Sequence, residues 1–253
     1  MKMNKPTQKV VGLILALLAL HFFWQLAAIL LKNPMLPTPL TVYQNFPKLG
    51  TREINVHLLT SLRRVLWGMG IGVAVGFILG ILMGRVVVLN KLLDPLLYLT
   101  YPIPKMALLP IIMLLFGLGD ASKITLIVLI VMPQVVLAVR DAVRNIPEHY
   151  YDIYRCLKAS RWQKFRHITL PASAFALFST SRISLGTAIS VLFFTENYGT
   201  NYGMGYFIMD AWMRLDYPSM YGAILLLSYL GLTLFLLLDF ASWFFLKWER
   251  AAD

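Results

Sequence analysis

Residues 152–171 read DIYRCLKASRWQKFRHITLP. Five basic side chains, Arg155, Lys158, Arg161, Lys164 and Arg166, crowd this stretch, and a long apolar run stands on each side of it. A bilayer span needs about 20 mostly apolar residues, so the flanking runs read as transmembrane helices and the stretch as a loop at a membrane surface. Two packed spans do not require so long a charged connection. A docking protein or an anionic lipid surface would give it a purpose. Tyr150, Ile153, Tyr154 and Leu157 recur at i, i+3, i+4 and i+7, an apolar helical stripe with the basic residues largely on other faces. Ser160 is placed to cap a second short helix whose apolar face carries Trp162, Phe165 and Ile168. Pro171 then permits a fresh helix start at the membrane.

Working outward, the whole chain has the same greasy character. Of 253 residues, 58% are hydrophobic and 14% charged, against about 45–50% and about 25% in soluble domains. Six apolar segments follow one another, at about 10–31, 65–83, 92–116, 124–139, 172–194 and 220–246. They are continuous rather than alternating, which excludes a β-barrel. The expected fold class is therefore all-α, a polytopic membrane protein of about six transmembrane helices. The second segment is rich in glycine (Gly68, Gly70, Gly72, Gly76, Gly80), which lets helices approach closely in lipid. The third is broken by Pro102, Pro104 and Pro110, and the fourth contains Pro133. The first run is longer than the apolar core of a secretory signal, so it reads as an uncleaved span.

The net charge of +11 suits cytoplasmic loops rather than nucleic acid. With the N-terminus inside, basic residues outside the spans fall about two to one on the inner side, which puts both termini and the island in the cytoplasm; Arg63 and Arg64 count against it. Cys156 is the only cysteine, so no intrachain disulfide forms. No histidine pair has metal-ligand spacing, no G-x-x-x-x-G-K-[ST] is present to bind ATP, and neither H-E-x-x-H nor G-x-S-x-G supports an intramembrane enzyme.

At these residues the chain resembles a known family. The island is similar to the "EAA" loop of permease subunits of binding-protein-dependent ABC importers: E-A-A, three residues, G, nine residues, I-x-L-P. Asp152, Ile153 and Tyr154 stand at E-A-A, Lys158 at G, and Ile168, Thr169, Leu170 and Pro171 at I-x-L-P. Residues 158–171 resemble the nitrate/sulfonate/taurine/bicarbonate-type branch, as do Pro102-Ile103-Pro104, Ala107 to Pro110, Phe116 to Gly119, Ser61-Leu62-x-Arg64, and Glu196 with Gly203 to Tyr206. The resemblance covers about residues 58–246. Asp152 shortens the usual Glu, Ile153 and Tyr154 are bulkier than Ala-Ala, and Lys158 replaces a Gly. Gly accepts φ > 0 at little cost, so either the turn at Lys158 is not left-handed or Lys158 is strained.

The resemblance implies the type I importer (MetI-like) permease fold in the cell inner membrane. Residues 1–60 would form a first span and external loop. Residues 61–253 would form a five-helix permease core carrying a coupling loop at about 147–170. It implies two cytoplasmic ATPase subunits, which hold ATP and Mg while this chain binds no cofactor, a second, identical permease copy (a homodimer), and an extracytoplasmic solute-binding protein. Asp152, Tyr154, Leu157, Lys158, Ala159, Ser160, Arg161, Trp162 and Phe165 would contact the ATPase, with Asp152 pairing an Arg there or capping its own helix. The solute would be a small anion or organic compound such as a sulfonate, nitrate or bicarbonate. Arg182, Glu196 and Met204 are the pathway candidates. Arg182 either attracts the solute or pairs near the span's end, and Glu196 is a gate or loop anchor. Asp239 either pairs or faces a subunit interface. The rival reading is a secondary transporter or channel not driven by ATP, which would have no use for the island.

Overall fold

A computed structural model describes residues 5–246. Helix α1 (Lys5–Leu31) leads through Pro39-started α2 (Pro39–Gln44) and α3 (Phe46–Gly50) into α4 (Ile54–Arg85). Then come α5 (Val87–Thr100), a 3-10 turn (Lys105–Leu108), α6 (Leu109–Phe116) and α7 (Asp120–Arg144). Two short helices follow, α8 (Glu148–Cys156) and α9 (Arg161–Lys164). A π turn (Phe165–Thr169) opens into α10 (Leu170–Thr195), followed by α11 (Met204–Met213) and α12 (Tyr217–Phe245). Five helices are long and apolar enough to cross a membrane, or six if the bent pair of α5 and residues 105–116 is one span; that pair turns through 85°.

The centre of the bundle is the contact between α4 and α7, the most extensive in the molecule. It follows from a four-residue period on both helices. Gly68, Gly72, Gly76, Gly80 and Gly84 form one row on α4, opposite Ile127, Val131, Val135, Val139 and Val143 on α7. A Cβ at Gly76 would stand 2.8 Å from Val135 Cβ and 2.9 Å from the Met132 carbonyl oxygen. Only hydrogen fits there, and the facing valines are wholly buried. Gly70, grouped with that row by composition, has open space around it, and Gly84 takes its place. The second segment is also longer than its apolar core. Residues 54–64 continue the same helix, so polar Ser61 and Arg64 belong to the span.

Pro171 stands in the first turn of α10, as expected, but no break precedes that helix. The chain is helical from Arg161 to Thr195, and the proline is absorbed by the π turn just before it, where the Leu170 amide donates to the Phe165 carbonyl. A proline removes one hydrogen bond and presses on the carbonyl four residues back, and a single π turn widens the helix there. Helix α12 begins beyond Asp216, whose carboxylate accepts from the Ser219 amide at 3.3 Å and pairs with Arg52 at 2.7 Å. Burial alone would raise the Asp216 pKa, but these donors hold it below the ordinary carboxylate range. Helix α1 is largely exposed and attaches through few groups, among them Trp24 Nε1 donating to the Pro37 carbonyl at 3.0 Å and His21 meeting the Tyr43 hydroxyl at 2.6 Å.

Candidate functional site

The island folds as two helices joined by a turn whose geometry is fully accounted for. Helix α8 ends at Cys156, and the Ala159 amide donates to Tyr154 O while the Lys158 amide donates to Arg155 O, each at 2.9 Å. These are the two bonds of a Schellman cap, which places the residue after the cap in the left-handed region. That residue is Lys158, with φ of 50°. Of the two expectations for this position, the strained one holds: the turn is the left-handed turn that glycine favours, and a lysine occupies it. Ser160 then caps α9 in a reciprocal box, its hydroxyl accepting from the Gln163 amide at 3.2 Å and its own amide donating to Gln163 Oε1 at 2.7 Å.

Asp152 lies in the middle of α8, not at its start, so it does not cap the helix. It pairs with Arg155 at 2.6 Å, and Glu148 meets the same guanidinium at 2.7 Å. These two bonds, donated by the guanidinium to Glu148 first and to Asp152 second, hold Arg155 above its ordinary pKa. The apolar stripe is left uncovered. Leu157 is 71% exposed, Trp162 65% and Ile153 55%, and Trp162 stacks on Phe165 with ring centroids 5.5 Å apart. Beside them a groove of about 740 Å³ is lined by residues that include Tyr150, Tyr154, His167 and Phe175.

Tyr151, which the stripe did not include, holds this unit to the spans. It is buried, its hydroxyl lies 3.1 Å from Thr169 Oγ1 on the π turn, and the Arg85 guanidinium at the end of α4 sits 4.8 Å from its ring centroid. Ile168 is buried as well. The island is thus a clamped platform with apolar side chains facing outward.

The opposite end of the bundle has the reverse character. On α4, His57, Ser61 and Arg64 are buried on one face. Arg64 donates to Glu196 Oε1 and the Tyr202 carbonyl, each at 2.8 Å, and through Nε to Asp120 Oδ1 at 2.8 Å. Ser61 donates to the Glu196 carboxylate at 2.8 Å and accepts the Met204 amide at 2.7 Å. The Gly205 amide donates to Glu196 Oε2 at 2.9 Å, and the Gly203 amide to His57 Nδ1 at 3.2 Å. A Cβ at Gly203 would strike the Glu196 carboxylate, which explains a glycine in this loop. Arg63 also pairs with Asp120, so both arginines of this stretch have carboxylate partners inside the chain. The polar spacing of residues 57, 61 and 64 on one helical face was a visible signal of this cluster.

Of the pathway candidates, Glu196 and Met204 are wholly buried, the first in this network and the second in the apolar cluster of Leu49, Phe207 and Ile208. Arg182 Nε stands 2.6 Å from Asp239 Oδ1 on α12, an ion pair across two spans. Among the described residues no group of His, Cys, Asp and Glu could hold a metal ion.

Comparison with known proteins draws these features together. The family described as "Binding-protein-dependent transport system inner membrane component" matches residues 72–246. A protein named as an aliphatic sulfonates transport permease, SsuC of Bacillus subtilis, is 30% identical over 234 residues, covering 90% of this chain and 85% of its own. The formylaminopyrimidine transport permease protein ThiX of Halalkalibacterium halodurans is 25% identical over 234 residues, covering 92% and 94%. In the solved MetNI methionine ABC transporter, one chain superposes with a TM-score of 0.57 at 19% identity over 80% of this chain and 96% of that one, a likeness of fold.

Proposed function

The chain belongs to the binding-protein-dependent transport system inner membrane components, the permease subunits of ABC importers, and we propose that it carries a small anionic or organic solute, coupled to cytoplasmic ATPase subunits through residues 147–170. The observation that carries this reading is the clamped island with its uncovered apolar face, Ile153, Leu157 and Trp162. Burying three such side chains in a partner's groove, with basic residues on the rim, is the usual anatomy of helix-in-groove recognition. Asp152, Tyr154, Lys158, Ala159, Ser160, Arg161 and Phe165 belong to the same surface. ATP and Mg are held by the partner.

Closure of an ATPase dimer would move two islands as rigid bodies and rock the paired permeases between inward and outward states, which requires that the nucleotide favour one state over the other. The second permease copy is an identical chain, and a binding protein delivers the solute on the opposite side. Both termini and the island lie in the cytoplasm. That orientation rests on the excess of basic residues on the inner side.

The anionic solute is supported by SsuC, named for aliphatic sulfonates; ThiX, named for formylaminopyrimidine, keeps uncharged heterocycles as the competing class. Co-expression with the cognate ATPase and purification of the complex tests the coupling surface. Arg161→Glu and Trp162→Ala should each reduce recovery of the ATPase, while undiminished recovery from both sinks the docking claim. Uptake of alkanesulfonates against a formylaminopyrimidine by the reconstituted importer decides the solute class.

A further inference from the structure

The break between α5 and α6 lies beside the middle of the bundle. Residues 101–104 have no regular structure, and they face α7 at Ile130, Pro133 and Gln134, half way along that 25-residue helix. Backbone without helical bonds at membrane depth is tolerated only where protein covers it or where it lines a water-filled cavity, yet Tyr101 is 52% exposed and Ile103 43%. A cavity of about 270 Å³ opens here, lined by Tyr101, Ile103, Lys105, Ile130, Pro133 and Gln134.

Lys105 is a second, independent sign. Its ammonium donates to the Tyr101 carbonyl at 3.0 Å and the Thr100 carbonyl at 3.3 Å, closing the end of α5, and lies 5.4 Å from the Tyr101 ring centroid. Among the described residues it has no carboxylate partner. Of the other cations on the spanning helices, Arg182 is paired with Asp239 and Arg64 with Glu196, while Lys123 is wholly buried against the Leu118 carbonyl. An ionised side chain at this depth marks a solute path when it faces a wet cavity. Gln134 adds donors of its own. Its Oε1 accepts the Ser184 hydroxyl at 2.7 Å, and among the described residues no bond is made by its amide nitrogen. Discontinuous helices near the midplane are also a recurrent place to build solute sites.

We propose that Lys105 and Gln134, at the broken span, form an anion subsite on the solute pathway, the ammonium supplying charge and the amide a directed donor to a sulfonate or oxyanion group. This deepens the anionic-solute reading and rests on it for the ligand's identity, but not for the site.

The native chain has a single thiol, so a Cys156→Ser background with Ile103→Cys carries one reporter beside Lys105. In open membrane fragments containing the assembled importer, the reporter is reacted with the sulfonatoethyl and the trimethylammoniumethyl methanethiosulfonates. Each rate is normalised to that reagent's rate with a free thiol. A fixed cation in a low-dielectric cleft concentrates anions at least about tenfold, so the anionic reagent should be favoured by about that factor. The preference should fall towards one with Lys105→Gln and survive Lys105→Arg. Failure of both reagents to react, or a preference that ignores Lys105→Gln, overturns the proposal. If Lys105→Gln does not accumulate, the preference in the chain that keeps Lys105 decides, and a ratio near one refutes the subsite. A preserved preference without alkanesulfonate uptake would leave the subsite standing and remove the anionic-solute reading; uptake without any preference would do the opposite.

Discussion

The two ends of this bundle solve opposite problems with similar residue types. At the Glu196 end, Arg64, Glu196 and Ser61 are buried and find partners in one another and in the backbone of the 196–205 loop. At the island end, basic and apolar side chains stand in the open, while the backbone beneath them is tightly capped. A charge closed inside the chain serves the chain, because leaving it unpaired in a low-dielectric interior is expensive. An apolar side chain held out on a rigid cap serves something else, because exposing it gains the chain nothing. Residue type alone would not separate the two ends; burial and partnering do.

The sharpest way to break this contrast is Arg64→Ala. It leaves the Glu196 carboxylate buried without its cation and should destabilise the chain by about 3–5 kcal/mol, seen as a large fall in thermal stability in detergent. A mild effect would mean the cluster is wetter than it looks. Trp162→Ala should do the reverse, leaving the melting temperature of the isolated chain almost unchanged while weakening ATPase association by at least about 2 kcal/mol, measured by titration of the purified partner. If Trp162→Ala instead unfolds the chain, the island is part of its structure rather than an open platform.

Between the two ends, Gly76→Ala presses a methyl group into Val135 and the Met132 carbonyl and should cost about 1–3 kcal/mol; Gly70→Ala, with open space around it, is the silent control. Lys158→Gly should stabilise the island, since a non-glycine residue in the left-handed region costs about 1–2 kcal/mol and the flexible unfolded chain takes back part of that. A net gain near 1 kcal/mol in the melt of the isolated chain is expected, and a loss would show that Lys158 makes a contact that outweighs its backbone.

The smallest effect concerns pH. Asp216 has a lowered folded pKa, so its contribution is fully present above its unfolded value of about 3.9 and is lost as pH falls through the lower folded value. The stability gap between wild type and Asp216→Asn should therefore be constant near neutrality and close in the acid range, starting from no more than about 1 kcal/mol for the exposed pair. A gap that stayed constant through the whole acid range would show that the carboxylate's charge does not set it.

Much of this was legible in the residues. Apolar periodicity exposed the spans, and i, i+3, i+4 spacing gave the stripe of α8. Ser160 was readable as a cap because Ser before a helix has one strong use. Other features were not legible. Tyr151 sits one place from the stripe and turns inward to Arg85 and Thr169, a choice made by neighbours distant in the chain. Capping was one of the two readings open for Asp152, but helix boundaries depend on which backbone groups find partners, and α8 begins four residues earlier. Glu196 read as a pathway candidate because it ends a span, and Met204 because it lies in the external region that follows. Their burial comes from a loop that folds back over α4.

By itself the sequence determined the all-helical membrane class, the number of apolar segments and the polar island between two of them, because hydrophobic period and length act locally along the chain. Only the tertiary structure decided which charges are consumed internally and which remain available. Arg64 and Arg182 meet carboxylates on other helices, Lys105 meets none among the described residues, and Lys158 is forced into a left-handed turn by the cap around it. Pairing of that kind depends on distances between residues far apart in the chain, and those distances exist only once the helices have packed.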